Sequence, residues 1–217
     1  MGQDRQDTEI DIRAGAVQLG GTLTVPKTNR GLVVFVHGSG SSRHSPRNRH
    51  VAGRLNAAGL GTLLFDLLTG EEAEVRANVF DIDLLADRLH TATNWVRREA
   101  EVDAALGYFG ASTGAAAALV AAARAPNEVS ALVSRGGRPD LAGSLLTAVT
   151  TPTLLIVGGR DEVVLDLNRQ AQMQLAGESR LEVVPGATHL FEEPGALDQV
   201  AILAGDWFLE HLASGPR

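Results

Sequence analysis

A series of short, nearly uninterrupted apolar runs limits this chain more than anything else in its sequence. Leu32-Val33-Val34-Phe35-Val36, Leu63-Leu64-Phe65, Ala104 to Phe109, Val129 to Ser134 and Thr153-Leu154-Leu155-Ile156-Val157 are strand-sized and mostly apolar at successive positions. A strand with that pattern is buried on both faces, as in a parallel sheet with helices on each side. Helix-length stretches lie between the runs. One follows Pro46 and closes at Gly59; a second carries Ile82, Leu85, Leu89 and Trp95-Val96 in its stripe; a third runs from Ser112 to Ala125. Further helices are predicted over 141–149, 165–175 and 197–212, with a last strand at Leu181-Glu182-Val183-Val184. Ahead of them, Ile10, Ile12, Val17, Leu19, Leu23 and Val25 alternate with polar or small residues around Gly20-Gly21. That pattern predicts antiparallel strands joined by a tight turn. Residues 1–7 are expected to fray, and a polar loop is expected after Asp66. The alternation predicts an α/β fold over residues 1–217: a single-domain, doubly wound, mostly parallel sheet with helices on both faces.

Composition narrows the function. The net charge of −7 argues against a general nucleic-acid binder, which needs a basic surface. The absence of cysteine excludes disulfides, thiolate metal sites and a cysteine nucleophile. No apolar run approaches the roughly 20 residues of a membrane span. The first residues are polar and lack the apolar core of a signal peptide, so a cytoplasmic protein without membrane contact is expected.

In an open α/β sheet, chemistry collects in the loops that leave the carboxyl ends of the strands. Those loops contain Ser39, Asp66, Ser112, Asp161 and His189. Ser112 sits in Gly110-Ala111-Ser112-Thr113-Gly114, between a strand and an alanine-rich helix. A turn tight enough to need glycines would lift its hydroxyl clear of the sheet, at a helix N-terminus. The pentapeptide alone is weak evidence in a chain with 24 glycines, and a helix N-cap is its ordinary reading. The order Ser112, Asp161, His189, each just beyond a predicted strand, gives it weight. Glu162 is an alternative acid beside Asp161. Asp66 and Asp140 are weaker competitors, and Asp140 fits a helix N-terminus.

With these residues in view, the sequence resembles the α/β-hydrolase family over roughly residues 10–213. The matching segments are Phe35-Val36-His37-Gly38-Ser39-Gly40, Gly110 to Gly114, Val157-Gly158-Gly159-Arg160-Asp161 and Gly186-Ala187-Thr188-His189. It is most similar to small, cap-free enzymes like dienelactone hydrolase, with serine where those enzymes often carry cysteine. The resemblance implies acyl transfer: Ser112 as nucleophile, His189 as base and Asp161 as the acid that orients it. It also implies an oxyanion site made by the backbone N–H groups of Thr113 and Ser39, and neither metal nor organic cofactor. His37 is expected to support the Ser39 loop rather than react.

Specificity is less legible. Arg43, His44, Arg47, Arg49, His50 and Arg54 form a basic cluster after the Ser39 loop. The cluster reads first as a solvated helix face, and second as a device that positions an anionic acyl group. Only Arg135 to Thr151 separates two predicted strands at the place where a cap would be inserted, so an open site and a small ester substrate are expected. The sequence therefore predicts a serine hydrolase acting on carboxylic esters, or on thioesters or lactones. The competing reading is an idle α/β-hydrolase scaffold that binds a small ligand or a partner.

Overall fold

The computed structural model describes residues 5–100 and 104–212. Its strands are β1 (Arg5–Ala14), β2 (Val17–Pro26), β3 (Leu32–Val36), β4 (Gly61–Phe65), β5 (Leu106–Ala111), β6 (Ala131–Arg135), β7 (Thr153–Gly158) and β8 (Ser179–Val184). They form one sheet in the order β1-β2-β4-β3-β5-β6-β7-β8. β2 pairs antiparallel with both β1 and β4, and every pairing from β4 through β8 is parallel. The helices are α1 (Pro46–Ala57), α2 (Gly70–Glu74), α3 (Arg76–Val79), α4 (Ile82–Glu99), α5 (Thr113–Arg124), α6 (Glu162–Gln172) and α7 (Ala196–Leu212).

Strand alternation divides the core into two layers. Val34, Val36, Tyr108 and Leu132 face α4 and α5. Val33, Phe35, Phe109 and Val133 face α1 and α7, where Trp207 and Phe208 fill the layer. The central strands are buried at every position, as expected of a sheet with helices on both sides.

Several local expectations change. β1 begins at Arg5, inside the segment expected to fray, because it pairs with β2 as far as Pro26 and Thr24 donates to Asp7 at 2.8 Å. Residues 1–4 lie outside the described residues. The β1–β2 turn falls at Gly15, whose φ of +67° favours glycine, while Gly20 and Gly21 lie within β2. The polar loop after Asp66 contains α2 and α3, and Thr69 and Glu72 form a reciprocal capping box at the start of α2. The stretch 141–149 is a 3-10 segment (Pro139–Ala148) interrupted at Gly143. With α2, α3 and this short segment as the only insertions among the described residues, no cap domain covers the sheet.

The α4–β5 contact contains a buried polar pair. Thr93 donates to the Leu89 carbonyl at 2.9 Å, so its oxygen accepts from the Tyr108 hydroxyl at 2.7 Å. Burial pushes the Tyr108 phenol above its ordinary pKa, so it remains a donor. Thr93→Val would leave the Tyr108 hydroxyl buried without its acceptor, at a cost of about 1–3 kcal/mol. Tyr108→Phe leaves Thr93 bonded to Leu89 and should cost only about 0.5–1.5 kcal/mol. Urea unfolding of the two variants should give that order.

Candidate active site

The turn at Ser112 is set by how closely α5 approaches the sheet. A methyl group on Gly114 would stand 2.2 Å from the Val36 carbonyl oxygen and 2.4 Å from that of His37. One on Gly110 would stand 2.5 Å from the Ala115 Cα. Both obstacles are backbone, so neither can move aside cheaply. The serine between these glycines is forced to φ 51°, ψ −120°, a region that L-residues rarely occupy. Hydrogen bonds hold it there: Ser112 N–H to the Arg135 carbonyl at 3.3 Å, and Arg138 N–H to the Ser112 carbonyl at 3.2 Å. Ser112 occupies the N-cap position of α5, but its side chain makes no capping bond. The ordinary reading of this serine therefore does not hold.

Asp161 and His189 are brought together by backbone bonds between the loops after β7 and β8. Gly159 N–H donates to the Val184 carbonyl and Arg160 N–H to the Ala187 carbonyl, both at 2.9 Å. Gly158 lets the loops meet, since a methyl group there would lie 2.4 Å from the Ala187 oxygen. The result is a bond of 2.6 Å between His189 Nδ1 and Asp161 Oδ2. A carboxylate only accepts, so Nδ1 carries the proton and Nε2 is the basic nitrogen. Asp161 also stands at a helix start without capping it, while Glu162 is exposed in the first turn of α6. The other acids are engaged elsewhere. Asp140 takes two bonds from Arg138, and Asp66 accepts the Arg43 N–H at 2.8 Å. The end of β6 borders both residues: the Arg135 carbonyl accepts the Ser112 N–H, and a methyl group on Gly136 would lie 3.5 Å from the His189 ring.

Three residues around the site were not singled out from sequence. Phe191 is buried in the α1–α7 layer with φ 55°, anchoring the loop two residues beyond His189. Glu193 accepts the Thr188 N–H at 3.1 Å, and its bonds with Thr188 hold its carboxyl below the ordinary range. Arg135 is buried at the end of β6. A left-handed phenylalanine and a buried arginine have no local sequence signature.

The expected oxyanion residues also meet, but in a different arrangement. The Ser39 N–H donates to the Thr113 Oγ1 at 2.9 Å instead of standing free. His37 supports the same loop. Leu67 N–H donates to its Nε2 at 3.1 Å, so its Nδ1–H donates to the Gly38 carbonyl at 3.0 Å. Beside this loop lies an open cavity of about 930 Å³, walled by Ser39 to Ser42 and Arg47 on one side and by Leu67, Leu68, Val79 and Phe80 on the other. It adjoins the Ser112–His189 region without being lined by either residue.

The basic cluster is largely neutralised. Arg43 lies across Gly20 and faces Glu9 and Asp66; His50 and Arg54 share Asp198; Arg47 pairs with Glu192. Most of it is therefore surface pairing rather than a substrate clamp.

A parallel sheet of this order, with serine, acid and histidine loops leaving β5, β7 and β8, defines an α/β hydrolase. The chain belongs to that family, and residues 27–137 match the hydrolase group described as serine aminopeptidase, S33. It is 54% identical to a dienelactone hydrolase from Anabaena variabilis, over 97% of this chain and all of that one, with a TM-score of 0.93. Est1E from Butyrivibrio proteoclasticus shares the fold at 18% identity, with a TM-score of 0.80 over 94% of this chain and 98% of its own. Two Mycobacterium tuberculosis proteins, provisionally described as phosphoribosyl transferases, are 62% identical over 97% of this chain. The chain spans 48% of their length. Among the described residues, no helix is long and apolar enough to cross a membrane.

Two predictions follow from the local packing. Gly114→Ala should destabilise the protein by about 3 kcal/mol or more, because the methyl meets backbone oxygens. Gly53→Ala, on an open face of α1, should stabilise it by about 0.5–1 kcal/mol. Chemical denaturation distinguishes the two. His37 makes stability depend on pH. Burial lowers its pKa from 6.5, against weaker opposing effects of Gly38 and Asp66. The unfolded chain then binds the proton more readily, so stability is full above pH about 6.5 and falls as pH drops through the lower folded value. His37→Gln should flatten the slope of Tm against pH between about 7.5 and 5.5.

Proposed function

We propose that this hydrolase is a serine esterase, cleaving carboxylic esters, or thioesters or lactones, through an acyl-enzyme on Ser112, His189 and Asp161. The observation that carries this reading is the 2.6 Å Asp161–His189 bond, on loops joined by their own backbones, in a chain that also holds an uncapped serine in a strained turn. Asp161 fixes the tautomer, leaving His189 Nε2 to take the Ser112 proton as Oγ attacks the carbonyl carbon. The same imidazolium then protonates the leaving alcohol, and water repeats the cycle on the acyl group. The oxyanion would take the Thr113 N–H and, once the Thr113 hydroxyl turns away, the Ser39 N–H as well. The substrate is a small-molecule ester, with the cavity beside Ser39 available to one of its arms. The transferase description of the mycobacterial relatives is assigned, within this proposal, to the part of those longer proteins that this chain does not match.

One observation favours a ligand-binding scaffold instead: the Ser39 N–H is already occupied by Thr113. Kinetics separate the two readings. With p-nitrophenyl acetate as substrate, Ser112→Ala should abolish turnover, and Asp161→Asn should lower kcat by about 10³–10⁴-fold, with Tm close to wild type in both. A wild-type rate no faster than that of Ser112→Ala would overturn the esterase reading.

A further inference from the structure

The cavity beside Ser39 has a wall that the mechanism above leaves unused. α2, α3 and the residues around them form it, and their bonds give it a fixed shape. Glu72, in the capping box of α2, accepts from Arg88 Nη2 at 2.7 Å, while Arg88 Nη1 donates to the Ala14 carbonyl at 2.7 Å. Asn78 Nδ2 donates to the Glu72 carbonyl at 3.1 Å and ties α3 to α2. Toward the cavity, Leu67, Leu68, Val79, Phe80 and Leu85 present an apolar surface. Leu67 and Leu85 belong to the core, whereas Phe80, directly after α3, is 48% exposed, with the Arg76 guanidinium 5.5 Å over its ring. An aromatic ring left open in the wall of a cleft adds little to the core and suits a second ring.

The cavity reaches the nucleophile. Gly38 lines it, and a methyl group on Gly38 would stand 3.0 Å from the Ser112 Cβ. Its volume of about 930 Å³ lies within the roughly 300–1,000 Å³ of ligand clefts, far more than an acetyl group needs. The charges around it give little net pull on an ion. Asp66 is held by Arg43 and Arg47 by Glu192, and Glu74 and Arg76 are of opposite sign. A neutral, apolar occupant fits these walls. Sheet order indicates which arm of an ester it is. β3 and β4, whose following loops wall the cavity, lie on one side of β5; β6, β7 and β8, the strand before His189, lie on the other. In the esterase reading His189 protonates the departing alcohol, which sets the alcohol toward β6 and leaves the acyl chain facing β3 and β4.

We propose that this cavity binds the acyl arm of the substrate, an arylalkanoyl group whose ring lies against Phe80 and Leu68, and that Phe80 sets the preference for such groups. The assignment to the acyl arm rests on the esterase reading, whereas binding of an aryl group in the cavity does not.

The test compares kcat/KM within two matched pairs. p-Nitrophenyl 3-phenylpropanoate against p-nitrophenyl acetate varies the acyl arm alone; 3-phenylpropyl acetate against methyl acetate varies the alcohol alone. The aryl acyl ester should be preferred over the acetate by roughly tenfold or more. Phe80→Ala should cut that preference by about two- to tenfold, and Phe80→Leu by less. Ala73→Trp, which fills the cavity from α2, should cut it as well, and serves if Phe80→Ala folds poorly. Calorimetric titration of Ser112→Ala with p-nitrophenyl 3-phenylpropanoate reads the cavity without turnover, and binding should weaken when Phe80→Ala is added. The proposal is overturned if the aryl acyl ester is not preferred, if the preference survives both Phe80→Ala and Ala73→Trp, or if these substitutions act on the alcohol pair instead. Absence of turnover on every ester, with Phe80-dependent binding to Ser112→Ala intact, would count against the esterase reading and leave the cavity as the ligand site.

Discussion

The contact between the start of α5 and the end of β3 governs this site. Helix and strand come so close at Gly114 that no side chain fits between the helix backbone and the carbonyls of Val36 and His37. A chain leaving β5 can enter α5 at that distance only through a sharp, unfavourable backbone turn, which Ser112 occupies at an expense of about 1–3 kcal/mol. The same closeness puts the Ser39 loop within hydrogen-bond reach of Thr113, 74 positions later in the chain. One steric constraint thus sets the serine's turn and brings the Ser39 loop against the start of α5.

The acidic half of the site depends on a different kind of constraint. Asp161 and His189 lie on separate loops, and their bond persists because those loops exchange backbone hydrogen bonds at Gly159 and Arg160. Phe191 and Glu193 pin the histidine loop from below and beside it. Around these backbone bonds, buried side-chain atoms of Ser134, Arg135 and Asn168 have no hydrogen-bond partner among the described residues.

Much of this was legible in the sequence because it is encoded locally. The apolar runs mark most of the strands; Gly110 directly follows the run ending at Phe109, and Asp161 and His189 fall within about one short turn of predicted strand ends. α2 was read as loop although Thr69 and Glu72 carry a capping signal, because a five-residue helix has no apolar stripe to reveal it. The region 141–149 has apolar content enough for a helix, but Gly143 interrupts it with positive φ. The Ser39–Thr113 bond, the fold of Phe191 into the core and the isolation of Arg135 are properties of packing. Each depends on which distant residues arrive beside it, and no spacing rule contains that information.

The central claim is that Ser112 is a nucleophile activated by His189. Reaction of the folded protein with a fluorophosphonate probe, followed by intact-mass and peptide-level mass spectrometry, tests it most directly. The account predicts one stoichiometric adduct, located on Ser112, and slower labelling in His189→Ala. A folded protein that stays unlabelled, or that carries the adduct at another residue, would contradict it.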